Sequence, residues 1–404
     1  MQKTIKILLY GLQSTWNYGC EAIVRGTLQM LKEHAGEQKV EVQLLVADVA
    51  LYRKMFQDMQ ITIVPMRSKW HPRYLFGAVL RKLGITCSAA SLVPKNAVKN
   101  ANLAVCIGGD VFDEDSHYLR IFTDCAERYH VPVIYWGGSF PAYARTKEYT
   151  PAYREYLNSL KAIFVRDPAS QDFLKKEGVF RNVHLMPDPA FSMSAKEYDI
   201  PLRREKDELI IGLNVSPYSA YLSSESRVYT EAIKKNAELI QRIVDEFNAG
   251  ILLIPHVFPQ HDPTQDDAAW LEQIYSELPE KYQKKVALLQ SKIGAPCSKG
   301  ALKQCDLLIS ARMHCCVAAV SQNIPTIFLG YSIKAEGMAR NVYDNTEWVI
   351  PVKDLSAEFL IDKIRAIIAN KEMLRRYLAD KGKKWKELSR NAVITLLHSA
   401  QSVK

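Results

Sequence analysis

The chain has 404 residues, of which 48% are hydrophobic and 24% charged, and its formal net charge is +9. This length predicts two or three domains, with enough apolar material for sizeable cores that need neither disulfides nor a structural metal. The composition is that of an ordinary globular protein, and the sequence shows none of the usual DNA- or RNA-binding motifs. The modest positive charge suits an anionic small molecule or an anionic membrane surface, and we expect no nucleic-acid partner.

The eight cysteines include no C-x-x-C pair, which predicts reduced thiols and a cytosolic setting. The apolar run at the N-terminus is too short for a signal peptide, and no segment reaches the ~18 apolar residues of a membrane span. We therefore expect a cytoplasmic protein without a transmembrane helix.

Strand, glycine turn and helix alternate through the first half of the chain. A buried strand is predicted over Lys3–Gly11, and a helix follows from Asn17 to His34. A helix closed by Gly178 follows the last strand of this half. The other predicted strands are "VEVQLLVAD", "ANLAVCIGGDVF", "VPVIYWGGSF" and "LKAIFVRDPAS". This alternation predicts a parallel sheet flanked by helices.

A polar stretch from Ser194 to Asp207 predicts a linker, after which the alternation restarts with "ELIIGLNVSP". The later predicted strands are "GILLIPHV", "KKVALLQ", "CDLLISA" and "IPTIFLGY", and residues 355–404 are largely helical and basic. We predict an α/β protein with two Rossmann-like domains, 1–195 and 205–404, and a cleft between them. Ligands of such sheets bind at the carboxyl ends of the strands.

The stretch "SARMHCCVAA" places Arg312 and His314 between a strand and the start of a helix. Helix N-terminal amides bind anions, and an arginine adds a two-pronged grip on phosphate or carboxylate. A histidine can hold an anion or pass a proton. The alternative is an arginine in a structural ion pair and a histidine satisfied in the core.

The ends of other predicted strands carry further candidate ligand-binding residues. Asn17 and the nearby Gly19 can form a tight turn that presents amides, although an ordinary turn has the same sequence. Gly108 and Gly109 would let a ligand approach the backbone closely. No GxGxxG motif is present, so the sequence lacks a dinucleotide fingerprint.

Two cations also follow strands. Asp167 or Ser170 is expected to cap the helix after "FVRDPAS", but capping does not explain Arg166, which could face the cleft. Lys334 could neutralise a phosphate or carboxylate, or it is an ordinary surface lysine.

Two acidic loops invite a metal interpretation that their spacing does not support. Neither loop has an EF-hand or HExxH-type spacing, so we expect no metal. The residues are Asp110, Asp113 and Glu114 in one loop, and His256, His261, Asp262, Asp266 and Asp267 in the other.

The segment Trp70–Gly84 interleaves basic with aromatic and aliphatic residues. If helical, it would resemble an interfacial amphipathic helix that meets an anionic membrane. A core helix or one that covers the cleft is the alternative.

Taken together, these motifs resemble the polysaccharide pyruvyl transferase family. They follow the family's order from the first strand to about Tyr343, and the last is the most specific. They are "NYGCEAI", "CIGGDVF", "RDPAS", "PDPAF", "GLNVSP", "LIPH" with Asp262 beyond it, and "ISARMHCCVAAVSQNIPTIFLGYSIKAEG". The chain has Cys20 where family members often carry an aspartate, with Glu21 one position later.

The resemblance implies a glycosyltransferase-B-like arrangement, with the acceptor on the first domain and the donor on the second. It implies transfer of pyruvate from phosphoenolpyruvate to two hydroxyls of a sugar in a bacterial-type surface polysaccharide or its lipid-linked precursor. The products are a cyclic ketal and phosphate, and no metal or organic cofactor is expected.

In this reaction Arg312 would orient the donor, and His314 would be the general acid or a phosphate ligand. The substrate-binding residues that the resemblance implies are Asn17, Gly108, Gly109, Arg166, Asn214, His256 and Lys334. Two alternatives share the architecture: a nucleotide-sugar-dependent glycosyltransferase and a non-catalytic glycan-binding protein.

Overall fold

A computed structural model describes most of the chain as two compact units. It covers residues 4–12, 16–66, 93–109, 112, 117–140, 148–205, 208–217, 229–259, 265–330 and 333–401, without the side chains at 117, 118, 120, 333 and 334. The first unit consists of Met1–Ser14, Thr27–Pro189 and Glu387–Lys404, and the second of Thr15–Gly26 and Ala190–Lys386.

Seven parallel strands form the described sheet of the first unit. They are β1 (Ile5–Tyr10), β3 (Val40–Val46), β4 (Thr62–Pro65), β5 (Leu103–Ile107), β6 (Val133–Gly138), β7 (Ala162–Val165) and β8 (Val183–Leu185). Its helices are α2 (Val49–Met55), α3 (Lys95–Lys99), α4 (His117–Arg128), α5 (Pro151–Ser159) and α6 (Pro168–Lys176). The strand order β4-β3-β1-β5-β6-β7-β8 begins with the Rossmann sequence of crossovers.

The second unit has a six-stranded parallel sheet in the order β12-β10-β9-β13-β14-β15 and a small antiparallel ladder, β11-β2. Its strands are β2 (Trp16–Asn17), β9 (Ile210–Asn214), β10 (Gly250–Leu253), β11 (Val257–Phe258), β12 (Val286–Leu288), β13 (Leu307–Ser310), β14 (Thr326–Gly330) and β15 (Val349–Pro351). The order of the six strands is again that of a Rossmann sheet.

The helices of the second unit cover both faces of this sheet. They are α7 (Tyr229–Phe247), α8 (Asp267–Glu277), α9 (Glu280–Gln283), α10 (Ala295–Leu302), α11 (Met313–Val320), α12 (Ile333–Tyr343) and α13 (Ala357–Ala369). Two long helices, α1 (Tyr18–His34) and α14 (Lys371–Gln401), contribute residues to both units.

Burial of the strands explains why they read as continuous apolar runs. In β13, Leu307 and Ile309 belong to one hydrophobic cluster, and Leu308 belongs to the cluster on the other face. All three side chains are fully buried. A parallel sheet covered by helices on both faces needs apolar residues at every position, because successive side chains point to opposite faces.

The strands and helices predicted from the sequence are found at their expected places. Five described strands were not predicted, and they are short: β4, β8, β15 and the two strands of the β2–β11 ladder. The ladder pairs Asn17 with Val257, which lie 240 positions apart, so no local pattern could indicate it. Among the described residues, no helix has both the length and the apolar character needed to cross a bilayer.

The predicted linker has no helix or strand at residues 194–205, and it packs on the second unit. Lys196 N donates to Pro296 O over 3.0 Å, and Leu202 packs against the same hydrophobic cluster as Leu308. The buried Lys299 donates from Nζ to the carbonyls of Phe191 and Met193 at 3.3 and 2.6 Å. Burial lowers the pKa of Lys299 to about 7.

The compact units and the predicted domain bounds differ in three respects. The second unit begins at Ala190 and also includes Thr15–Gly26, whereas Glu387–Lys404 belongs to the first unit. The physical reason for the last two differences is continuity of the helices, because α1 and α14 are each a single helix that contributes residues to both units. The bounds 1–195 and 205–404 remain a prediction.

We predict that Gly300→Ala destabilises the second unit. A Cβ at this position of α10 would lie 1.8 Å from the carbonyl oxygen of Lys196, so the linker backbone must shift. We expect a loss of about 1–3 kcal/mol in the free energy of unfolding, measured in urea. Gly382→Ala is the matched control, since nothing lies within 4 Å of a Cβ there and the helix should gain about 1 kcal/mol. Equal effects of the two substitutions would contradict the close packing of the linker.

Candidate functional site

The turn between β13 and α11 is held by a buried asparagine. Asn214 Oδ1 accepts hydrogen bonds from Arg312 N and Ser310 Oγ, both at 3.0 Å. Its Nδ2 donates to Ile254 O at 2.8 Å and to Asp267 Oδ2 at 3.3 Å. Asn214 thus joins the carboxyl ends of three neighbouring strands, and its side chain positions the turn that begins α11.

Arg312 forms a forked ion pair with Asp267, the first residue of α8. Nε lies 3.2 Å from both carboxylate oxygens, and Nη2 lies 2.8 Å from Oδ1. The aspartate side chain is fully buried and the arginine side chain is 12% exposed. Burial raises the pKa of Asp267 above its usual value, while the Arg312 guanidinium acts in the opposite direction. The carboxylate fixes the orientation of the arginine at the start of a helix.

His314 packs directly against Gly19 at the start of α1. A Cβ at Gly19 would lie 2.5 Å from His314 Nδ1 and 3.0 Å from Asn17 Oδ1. Asn17 Oδ1 also accepts a 2.7 Å hydrogen bond from Gly19 N, so the predicted tight turn is present. Only glycine lets the α1 backbone come this close to the imidazole. The "NYG" and "RMH" motifs, almost 300 positions apart, therefore meet at one place.

His256 follows β10 and lies beside the same turn. Its backbone N donates to Asp267 Oδ2 at 3.1 Å, and its carbonyl accepts from Tyr18 N at 3.1 Å. The edge of the Tyr18 ring meets the imidazole, with 5.5 Å between ring centroids. Burial lowers the pKa of His256 well below its ordinary value, and His314 and Arg312 lower it further. The imidazole is therefore neutral.

Glu21, which follows the position where the family often has an aspartate, has a structural partner. Its Oε2 accepts a 2.9 Å hydrogen bond from Ala295 N, the first residue of α10. Its Oε1 accepts from Arg25 Nε at 2.7 Å. The buried carboxylate thus connects α1 to the N-terminus of α10.

The first unit contains a second group of predicted residues. Arg166 is fully buried and donates to Asp188 Oδ2 at 2.8 Å, to Ser139 Oγ at 2.8 Å and to Gly109 O at 3.3 Å. A Cβ at Gly109 would lie 2.6 Å from Arg166 Nη1, so the guanidinium occupies the space that this glycine leaves. Gly108 has φ of +145°. The expectation that Arg166 faces a cleft is not supported, because its side chain is enclosed by protein groups.

Capping after β7 is as expected. Asp167 Oδ1 accepts from Ser170 N at 2.8 Å at the start of α6, which confirms the predicted cap.

The predicted site residues thus fall into two groups. Asn17, Asn214, His256, Arg312 and His314 come together in the second unit. Gly108, Gly109 and Arg166 lie in the first unit. Their contacts with substrate remain predictions.

Several other candidates lie outside the described residues. They are the Lys334 side chain, the segment Trp70–Gly84, and the loop residues Asp110, Asp113, Glu114, His261 and Asp262. Within the part of the chain that the structure describes, no cluster of three or more His, Cys, Asp or Glu side chains could hold a metal ion.

Sequence reasoning missed the two residues that organise the second-unit site. In the sequence Asp267 stands among possible metal ligands, whereas in the structure its carboxylate holds Arg312. The sequence around Gly19 predicts only a turn, whereas in the structure its missing side chain makes room for His314. A carboxylate at the start of a helix is a weak indication of a buried ion pair, because such residues usually serve as helix caps.

We predict that Asp267→Asn destabilises the protein strongly. The substitution leaves the guanidinium of Arg312 without its buried counter-charge, and such losses cost about 3–5 kcal/mol. We expect the lower end of that range, since the arginine keeps some exposure. Asp266→Asn is the matched control, because asparagine caps helices as well as aspartate does. Urea unfolding measures both, and similar small losses would show that the ion pair is not structurally important.

The family model "Polysaccharide pyruvyl transferase" matches residues 17–333. No curated protein matches the chain.

Similar solved structures include two UDP-GlcNAc 2-epimerases and a MurG, all of low sequence identity. A UDP-GlcNAc 2-epimerase from Neisseria meningitidis bound to UDP-GlcNAc has a TM-score of 0.62 and 12% identity, covering 98% of this chain and 100% of that chain. The corresponding epimerase from Methanocaldococcus jannaschii has a TM-score of 0.57 and 12% identity, covering 90% and 92%. MurG from Acinetobacter baumannii has a TM-score of 0.50 and 10% identity, covering 98% and 99%.

These structures have glycosyltransferase-B-like folds with two Rossmann-like domains, so the predicted fold class is confirmed. At such identities the likeness shows the fold alone. The family match is of a different kind, because it includes both the "NYG" turn and the "RMH" turn, whose residues the structure brings into contact. The chain belongs to the polysaccharide pyruvyl transferase family, a family of enzymes.

Proposed function

We propose that this enzyme transfers pyruvate from phosphoenolpyruvate to two hydroxyls of one sugar, forming a cyclic ketal and releasing phosphate. The acceptor is a bacterial-type surface polysaccharide or its lipid-linked precursor. The observation that carries the proposal is the contact of His314 with Gly19, next to an arginine that Asp267 holds at the start of α11. This places a cation, an imidazole and helix N-terminal amides in one part of the second unit.

The donor suits these groups, because phosphoenolpyruvate carries a carboxylate and a phosphate. Helix N-terminal amides and a guanidinium are the usual protein ligands of such anions. Lys334, at the second position of α12, adds a further positive charge in this proposal. We assign the donor to the second unit and the acceptor to the first.

The reaction needs one proton on carbon and two hydroxyls that lose theirs. A proton adds to the methylene carbon C3 while the first sugar hydroxyl bonds to C2 and releases its proton. The bond between C2 and the phosphate oxygen then breaks, with its electron pair leaving on phosphate. The neighbouring hydroxyl bonds to C2 and releases its proton. One of the two released protons replaces the one that C3 received, and the other goes to phosphate.

His314 has one of two roles in this scheme. As the general acid, it donates the proton to C3. As a phosphate ligand, it stabilises the charge that develops on the leaving group. The scheme itself asks for no metal or organic cofactor.

We predict that Arg312→Ala weakens donor binding and that His314→Gln shows which of its two roles the histidine has. Loss of a charged contact worth about 1.5–3 kcal/mol should raise KM for phosphoenolpyruvate about 10- to 100-fold in Arg312→Ala. His314→Gln should lower kcat more than it raises KM if the histidine is the acid, and the reverse if it binds phosphate. The measurement is phosphate release from phosphoenolpyruvate, with EDTA present, across a panel of glycan acceptors.

Arg376→Ala, at an exposed position of α14, is the matched control and should behave as the wild type. Wild-type kinetics in both site variants would refute the assignment. Parallel assays with nucleotide sugars test the glycosyltransferase alternative, for which release of the nucleotide is the diagnostic product. Glycan binding without release of phosphate or nucleotide would instead support a non-catalytic protein.

We also propose that the enzyme is cytoplasmic and meets a lipid-linked acceptor at the membrane surface through Trp70–Gly84. The support is sequence alone: this segment combines apolar side chains with Arg73, Arg81 and Lys82. Each cation near an anionic surface contributes about 1 kcal/mol, so binding should be weak and salt-sensitive.

We predict that the wild type co-sediments with anionic vesicles at low salt and much less at high salt. Replacing Arg73, Arg81 and Lys82 by glutamate should abolish this binding. Binding that is unchanged in the triple variant, or no binding by the wild type, rules out the membrane role.

A further inference from the structure

The imidazole of His256 is buried without a hydrogen-bond partner for its ring. The residue is 5% exposed, and neither ring nitrogen is bonded to any group that the structure describes. A buried polar group in this condition is unfavourable and rare in proteins. A bound ligand that supplies the missing partner would account for it.

The position of the ring points to the ligand. The Tyr18–Gly19 step of α1 touches both histidines: Tyr18 N bonds to the His256 carbonyl, and Gly19 packs on His314. The neighbouring groups that lower the pKa of the His256 ring, after burial itself, are His314 and Arg312. Asp267 is close, but its carboxylate already accepts from Arg312 and from backbone amides. Arg312 is therefore the permanent cation that acts on the ring, and a guanidinium favours an anion as the missing partner.

Resting on the proposed function, we propose that His256 is a second histidine of the donor pocket. Its ring N–H donates a hydrogen bond to a carboxylate or phosphate oxygen of phosphoenolpyruvate, and the ring takes up one proton from solvent as the anion binds. A new N–H bond is the only covalent change, and the proton returns to solvent when phosphate leaves.

Electrostatics gives the direction of the effect. In the free protein, burial keeps the pKa of His256 well below its ordinary value, with smaller contributions from His314 and Arg312, so the ring is neutral. An anion placed beside it favours the charged form and raises that pKa. Binding of the donor and binding of a proton therefore strengthen each other.

The same shift gives a pH dependence of stability. An unfolded chain binds a proton at this histidine below pH ~6.5, whereas the folded protein binds it only at lower pH. The free protein thus loses stability as the pH falls from about 6.5 toward the lowered pKa. His256→Phe should remove this loss and, by removing unpaired polar atoms, raise Tm. A purely structural histidine would show the opposite, a lower Tm on substitution.

Calorimetric titration tests the proposal. Phosphoenolpyruvate is added to the full-length protein at pH 7 in buffers of different ionisation enthalpy, which gives the number of protons taken up per anion bound. We expect net uptake by the wild type, less uptake by His256→Gln, and about tenfold weaker binding in that variant. His184→Gln is the matched control, because His184 is a partly buried histidine of the first unit whose pKa is also lowered by burial. It should bind and take up protons as the wild type does.

The outcomes separate this inference from the proposed function. Unchanged proton uptake and affinity in His256→Gln overturn the inference and leave the proposed function intact. If the wild type does not bind phosphoenolpyruvate, the proposed function fails, and titration with inorganic phosphate then decides whether His256 belongs to an anion pocket. If the wild type binds neither phosphoenolpyruvate nor inorganic phosphate, both the inference and the proposed function are overturned. A lower Tm for His256→Phe than for the wild type also overturns the inference, because it assigns the histidine a structural role only.

Discussion

The ion pair between Arg312 and Asp267 is the interaction on which the second-unit site depends. A fully buried carboxylate next to a guanidinium is stable only when hydrogen bonds satisfy the remaining oxygen lone pairs. The backbone amides of His256 and Val257 and the side chain of Asn214 supply those bonds. The pair thereby connects the ends of β9, β10 and β13 to the first residue of α8. Any ligand that Arg312 binds meets a guanidinium whose orientation is already set.

The second constraint on the site is the close approach of the α1 backbone to His314. The start of α1 lies against His314 because Gly19 has no side chain, and the Asn17 side chain holds the turn before it. The short ladder of β2 with β11 places this turn beside His256. Three segments far apart in the chain thus converge, and each is held by backbone hydrogen bonds. Rigid supports of this kind are what a binding site for a small anion requires.

The first unit uses an arginine differently. Arg166 is enclosed by Asp188, Ser139 and the carbonyl of Gly109. Breaking such a buried pair by removing one partner is costly, whichever partner is lost. Arg166 and Arg312 follow strands in the same way in the sequence. Arg312 keeps partial exposure at the start of a helix, whereas Arg166 is fully buried. The difference lies in the partners that each fold brings to the strand end.

The sequence by itself determined the local elements and the fold class. Apolar runs ending in glycine indicate buried parallel strands, since such strands need apolar residues on both faces. The order of motifs also identified the family and singled out Arg312 and His314, because a cation and an imidazole before a helix form a recognisable pattern. Short elements such as β15 and the β2–β11 ladder were not predicted, because a few residues are too short a stretch to show a hydrophobic periodicity.

Only the tertiary structure decided which residues meet. Nothing local to Asp267 distinguishes it from the cap Asp266 beside it, yet one is buried against Arg312 and the other caps α8. The role of Gly19 depends on a side chain almost 300 positions away, and the unpartnered ring of His256 depends on everything packed around it. Sequence patterns report the neighbours of a residue along the chain. Partners and burial are set by contacts between distant segments, and these exist only once the chain has folded.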